Sequence, residues 1–581
     1  MPEGEVGLLS QAEYLAVLAY LLERNGYAAG ASELTADAAV LRSIPVRSAR
    51  AALAPADAPP AFVRGPRGLL PRASGPTQAE LNAAGANGRD WLYHTGNYAG
   101  TRFTKLDQIG TDNVAQLVPS CAFQMGEPGP FQSGPIVHAG VMYLTGLRST
   151  VALDAATCRL RWRHEWQPRG RWVGLNNRGV AIKDGRVVRG TSDAYLIALD
   201  ASDGTLLWAR RVGDSSTGET ITMAPLVYED LVLVGAAVSE YAIEGWVGAF
   251  RLENGEEVWR FITVPGARDG TGTWANPAGV VLGGGAVWSP LSLDEERGEL
   301  YVPVTNPAPD LPAHLRPGPN LYTNSIVALD VRTGALRWYE QLVPNDFHDW
   351  DVTQVSPLFR ARVGGRERNL VATAGKDGFL RVLDRDTHER LYATPVARIE
   401  NQDVPLTRQG VFACPGVNGG VLWNGPALDP GRGLLFIGAV DWCSTFALVE
   451  EVRFVPGQMY MGGTVRPDRE QSGRVTAVDV TDGSVRWTYT SERPVLGAVT
   501  ATAGGVVFVG ELTGDLTALD AASGRVLWRF HTGGPIGGGV VSYEVAGRQY
   551  VAVASGDPSV LNWRLEHEGS PTVFVFALPA P

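Results

Sequence analysis

One phrase recurs along this chain, and it limits the possible folds more than any other feature. It reads ALDAATCRLRW at 152–162, ALDASDGTLLW at 198–208, AFRLENGEEVW at 249–259 and ALDVRTGALRW at 328–338. It returns as VLDRDTHERLY at 382–392, AVDVTDGSVRW at 477–487 and ALDAASGRVLW at 518–528. The pattern is apolar–apolar–Asp, a short turn that usually holds Gly, and an aromatic residue at the phrase's end. An alternating strand runs into the Asp, a tight turn reverses it, and a second strand carries the aromatic. Antiparallel units repeated every ~40–50 residues suggest the blades of a propeller.

Seven phrases are visible, and an eighth blade built from both chain ends would close the ring like a clasp. The expectation is an all-β, eight-bladed β-propeller with a short helical N-terminal extension. Trp162, Trp208, Trp259, Trp338, Trp487 and Trp528 would then wedge between neighbouring blades, as core rather than as ligands. Composition agrees: 70 glycines and 38 prolines with 19% charged residues suit a turn-rich β protein better than a helical one. Such a ring often serves as a binding scaffold without chemistry, so the repeat alone assigns no function.

The formal charge of −11 argues against nucleic acid as the main partner. The apolar run Tyr14 to Leu22 is too short for a transmembrane segment and lacks the flanks of a signal peptide. Either the mature protein is cytosolic or its true start lies upstream. Cys121, Cys158, Cys414 and Cys443 form no CxxC pair; two disulfides and four free thiols both remain open. Residues 1–45 carry the spacing of an amphipathic helix, with Ser10 and Glu13 as a capping box and Gly26 as its end. Residues 46–87 read as an Ala/Pro-rich linker, and 88–581 as the propeller.

The opening text DWLYHTGNYAGTRFTKLDQIGTDNVAQL at 90–117 and the closing GGVVFVGELTGDLTALDAASGRVLWRF resemble the pyrroloquinoline quinone (PQQ)-dependent alcohol dehydrogenases. That likeness spans nearly the whole propeller. The N-terminal helix with NGYAAGASEL resembles the end of the cytochrome c domain fused to some members. No CxxCH occurs, so no covalent haem site is expected in this chain.

The resemblance implies a site in family order. Glu240 in VSEYAIEGW, Asn306 in VTNPAPDL and Asp349 in NDFHDWDVTQ match the metal-binding glutamate, the metal-binding asparagine and the catalytic aspartate, which also binds the metal. Asp351 matches the second Asp that accompanies a lanthanide in place of calcium; another anionic oxygen suits a trivalent ion. Arg178, Thr222 and Lys376 match residues that hold the quinone, and Trp288 matches the floor under its ring. A lone carboxylate in a propeller loop is usually a solvated turn residue; Glu240, Asn306 and Asp349 together, in family order, reverse that expectation.

This sequence departs from the family at several points. Trp172 and Val173 stand where many members carry adjacent cysteines, and Gln132 stands for a quinone-binding glutamate. Leu422 and Leu496 replace an asparagine and a tryptophan, with Trp423 as a possible compensation for the first. The resemblance further implies a Cys414–Cys443 bridge, and a Cys121–Cys158 bridge is proposed beside it. Both would suit the periplasm. The implied reaction is alcohol oxidation: Asp349 takes the hydroxyl proton, hydride goes to quinone C5, and a cytochrome c accepts the electrons. The rivals are a quinoprotein acting on a polymer or sugar, and a non-catalytic scaffold.

Overall fold

The computed structural model describes residues 10–24, 34–35, 37, 40–41, 59–173, 176–559, 563, 565 and 569–579. Two compact units divide the chain, Met1–Pro60 and Ala61–Pro581. In the first, the helix Gln11–Arg24 opens on the expected capping box. Ser10 N donates to Glu13 Oε2 at 2.7 Å, and Glu13 N donates back to Ser10 Oγ at 3.4 Å. The expected stop at Gly26 lies outside the described residues. No helix among the described residues is long and apolar enough to cross a membrane.

The regular structure of the second unit is mostly strand, paired antiparallel except where Phe103–Thr104 runs parallel to Val499–Thr502. Among the described residues it holds eight sheets of four or five strands and one of two. Each repeated phrase is one hairpin, and its closing aromatic sits directly opposite its first residue. Ala152 faces Trp162, Ala198 faces Trp208, Ala328 faces Trp338 and Ala518 faces Trp528. A small residue across the ladder leaves the large ring free to reach out of its own sheet.

The ring reaches the turn of the next phrase. Trp162 Nε1 donates to Ala201 O at 2.9 Å, Trp208 to Leu252 O at 3.2 Å, Trp259 to Val331 O at 3.1 Å and Trp487 to Ala521 O at 3.0 Å. Each ring also covers the turn glycine: a Cβ on Gly204, Gly334 or Gly524 would come within 2.5 Å of it. The tryptophans thus join neighbouring sheets, as the wedge reading expects.

The phrase is missing from one sheet, which combines the chain's two ends. Val118–Gln124 pairs with Thr572–Ala577, which continues into Arg548–Ser555 and Val540–Val545. The linker reading of 46–87 needs correction for its described part. Phe62–Arg64 adds a fifth strand to the edge of Leu206–Arg211, and Gln78–Asn82 forms a helix with a Thr77–Glu80 capping box. An exposed sheet edge offers unpaired N–H and C=O groups that any extended segment can satisfy; Ala/Pro composition does not reveal that docking. Cys121 is bonded to Cys158 and Cys414 to Cys443.

Candidate active site

The loops that carry the candidate residues are held by their own backbone chemistry. Glu240 sits on the single 3-10 turn Ser239–Tyr241, between Val238 at φ 83° and Ala242 at φ 50°. Left-handed backbone at a β-branched residue is costly, and such strain gathers where a side chain must be aimed. Asp349 itself lies at φ 63°. Its loop is pinned by Asp346, which accepts from His348 N at 3.0 Å and Trp350 N at 2.8 Å. The Trp350 indole reaches Pro415 O at 3.2 Å, tying the loop to the disulfide-closed segment. Behind Asn306, Gly284 at φ 100° passes so close that a Cβ would lie 2.5 Å from Asn306 O. Only glycine fits there.

Acidic groups converge between these loops. Carboxylate oxygens of Glu240, Asp310 and Asp349 lie within 4.8 Å of one another. Lys376 Nζ stands 3.1 Å from Asp349 Oδ2 and 2.9 Å from Asp351 Oδ2. Asp351 also accepts from Asn306 N at 3.0 Å and from Trp288 Nε1 at 3.2 Å. Asp310, Asn306, Asp349 and Asp351 are all buried, while Glu240 is half-buried.

The electrostatics follow from that crowding. Burial, then the neighbouring Glu240 carboxylate, pushes Asp310 well above the usual carboxylate range. Burial does the same to Asp349, with Asp351 and Glu240 adding to it and Lys376 opposing. Burial and Asp351 also raise Glu240. For Lys376, burial disfavours the ammonium, but Asp349, Asp351 and Glu240 outweigh it and hold it above the usual lysine range.

Several oxygens here have no hydrogen-bond partner among the described residues: Asn306 Oδ1, Asp349 Oδ1 and both oxygens of Asp310. Buried acceptors are normally satisfied, so a cluster of orphans is a strong local signal. An all-oxygen set of carboxylates and an amide is the donor chemistry of a hard cation such as calcium or a lanthanide. The residues present fit such an ion.

Beside them lies an aromatic and cationic cradle. The Arg178 guanidinium is 4.5 Å from the Trp288 ring centre and 4.8 Å from that of Trp423. Those two rings meet edge-on at 6.1 Å. Arg178 donates to Thr222 Oγ1 at 3.0 Å, and burial lowers it to about 9. A flat apolar face next to a fully desolvated guanidinium suits a planar, polycarboxylate ligand. Leu422 and Leu496 share an apolar cluster with Trp423 and Trp288, which forms a hydrocarbon wall.

Two of the residues at which the sequence departs from the family have partners of their own. Gln132 is fully buried and donates to Pro558 O at 2.5 Å. Trp172 lies under Arg148, 5.2 Å from its ring centre. Sequence reasoning missed Asp310 and also His94, whose Nδ1 meets Arg178 O at 3.1 Å and which burial keeps neutral. Asp310 carries a faint signal: an acidic residue between Pro309 and Leu311 in the loop of Asn306, with no turn for it to cap.

Comparisons with known proteins point the same way. Residues 91–405 match the family model described as the glucose/ethanol/alcohol dehydrogenase β-propeller domain of the PQQ type. Residues 471–574 match that of the outer membrane protein assembly factor BamB. The quinohemoprotein alcohol dehydrogenase ADH IIB of Pseudomonas putida is 30% identical, over 84% of this chain and 76% of that protein. A lanthanide-dependent methanol dehydrogenase of Methylacidiphilum fumariolicum is 30% identical, over 73% and 77%. The solved structure of a europium-containing methanol dehydrogenase superposes with a TM-score of 0.80 at 28% identity, covering 86% of this chain and all of that one.

Proposed function

The chain belongs to the PQQ-dependent alcohol dehydrogenases, a family of quinoprotein oxidoreductases, and from that premise we propose that it oxidises an alcohol to an aldehyde or ketone with Asp349 as the base. Its eight larger sheets are the blades of a closed propeller, clasped by the pairing of Val118–Gln124 with Thr572–Ala577. Glu240, Asn306, Asp349 and Asp351 would hold one Ca2+ or lanthanide ion. Arg178, Thr222, Trp288, Lys376 and Trp423, with Gln132, would hold PQQ. When bound, the quinone supplies a two-electron acceptor and the cation a Lewis acid that polarises it.

The observation that carries this reading is the unpartnered Asp349 Oδ1, buried beside the Trp288–Arg178 cradle while Oδ2 is engaged by Lys376. One oxygen is thereby free to take a proton from an alcohol hydroxyl. The Lys376 ammonium, with a metal ion, keeps the group anionic against the cost of burial. Arg178 offers its fork to a carboxylate, and Trp288 offers a flat support that its bond to Asp351 keeps in line with the acidic cluster. The hydrocarbon wall of Leu422 and Leu496 excludes water from that side. Electrons would leave to a cytochrome c, and the two disulfides suit a periplasmic location.

The test is reconstitution with PQQ and either calcium or lanthanum, followed by dye-linked oxidation of a series of alcohols. Dye reduction that requires both PQQ and one of the ions is expected. No PQQ absorption and no dye reduction with any alcohol would leave the scaffold reading in its place.

A further inference from the structure

Asp310 is the one member of the acidic cluster that the family pattern does not call for, and it is the least explained by the fold. It is fully buried, and neither of its carboxylate oxygens has a hydrogen-bond partner among the described residues. Its backbone, by contrast, is firmly held. The buried Arg316 fork donates to Pro309 O at 2.8 Å, to Asp310 O at 2.5 Å and to Asp346 O. Leu311 N donates to Met461 O at 2.9 Å. Arg316 thus satisfies carbonyls around Asp310 and leaves the carboxylate itself aimed at Glu240 and Asp349.

An ordinary buried aspartate would cap a turn or pair with a cation, as Asp346 and Asp351 do here. Two oxygens bound to one ion at about 2.3–2.6 Å lie no more than about 5 Å apart. The 4.8 Å grouping of Glu240, Asp310 and Asp349 meets that limit. Asp351, meanwhile, has both oxygens already bonded, to Asn306 N, Trp288 Nε1 and Lys376 Nζ.

We propose that Asp310 is a direct ligand of the cation held by Glu240 and Asp349, and that its charge tilts this site towards a trivalent over a divalent ion. The proposal rests on the metal-dependent reading above. With Asp310 ionised, Glu240, Asp310 and Asp349 put three carboxylates around the ion, and the Lys376 ammonium that touches Asp349 is shared with a fourth, Asp351. A higher ionic charge compensates that excess better.

The test uses the full chain reconstituted with PQQ and titrated separately with Eu3+ and Ca2+, reading europium luminescence, its lifetime in H2O and D2O, and the melting temperature. Asp310→Asn keeps the size and an oxygen donor but removes the charge. Eu3+ affinity is expected to fall about 10- to 100-fold, and Ca2+ affinity by less. The metal-free melting temperature should hold or rise, because an unpartnered buried carboxylate has been removed. Should that variant not fold, the smaller neutral Asp310→Ser is titrated with the same expected losses. Unchanged Eu3+ affinity and lifetime in a folded variant, or equal losses for both ions, would overturn the proposal and leave the metal-dependent reading intact. Wild-type protein that binds neither ion would overturn both.

Discussion

The tryptophan junctions between sheets and the loops around Asp349 are built on opposite principles. At the junctions the main polar groups of the repeated phrase find partners: at Trp162 and Trp487 the indole N–H meets the next turn's carbonyl, and the Asp520 carboxylate closes its own turn. Positive φ falls there mainly on glycine, as at Gly204 and Gly524, with Cys158 and His388 in the corresponding place of two phrases. Around Asp349, buried oxygens lack partners, and positive φ falls on Val238, Ala242 and Asp349 itself. The junctions are locally relaxed and give stability, whereas the site keeps strain and unmet valence in the places where a ligand would relieve them. One part of the molecule holds the other in a conformation it would not choose alone.

The largest effect that would break this contrast is at the site. Asp349→Asn should lower kcat in the dye-linked assay by about 1,000-fold, or about 4 kcal/mol in the barrier, with little change in melting temperature. A comparable loss of stability would mean that Asp349 is structural. Next, Lys376→Met strips the ammonium from Asp349 and Asp351. Urea unfolding of the metal-free protein should show a loss of about 3 kcal/mol, smaller once a metal ion is added. If added metal restores nothing, the two carboxylates are not facing the ion.

At the junctions the expected changes are smaller and concern stability alone. Gly524→Ala puts a Cβ at φ 72° and 2.5 Å from the Trp487 ring, and should cost about 2 kcal/mol without altering KM or kcat. The smallest effect sharpens the comparison. At one junction His388, at φ 61°, occupies the place of the turn glycine, stacks on Trp338 at 4.4 Å, and Trp338 Nε1 turns to Glu299 Oε1 instead. His388→Gly relieves the backbone but loses the stacking, so the unfolding free energy should move by less than about 1 kcal/mol in either direction.

The same contrast explains what could be read from sequence. The hairpins and their tryptophans were legible because a short-range pattern, repeated with a fixed register, specifies them. The sheet that joins Val118–Gln124 to the C-terminal strands carries no phrase and could only be inferred from the need to pair both ends. The strand Phe62–Arg64 stayed hidden because its partner edge lies over 140 residues away in sequence, and nothing local marks it. At the site, Glu240, Asn306 and Asp349 were found through a family likeness, since their spacing along the chain carries no geometric information. Asp310 was missed for the same reason in reverse: it fits no family position, and its meaning lies in the hydrogen bonds it does not make.

The central claim is that Glu240, Asn306 and Asp349 share one cation beside Trp288. Anomalous diffraction from crystals grown with PQQ and lanthanum tests it most directly. The account predicts a single strong peak with oxygens of all three residues at about 2.3–2.6 Å. A peak on the outer face of the protein, or one at this site that any of the three fails to reach, would contradict it.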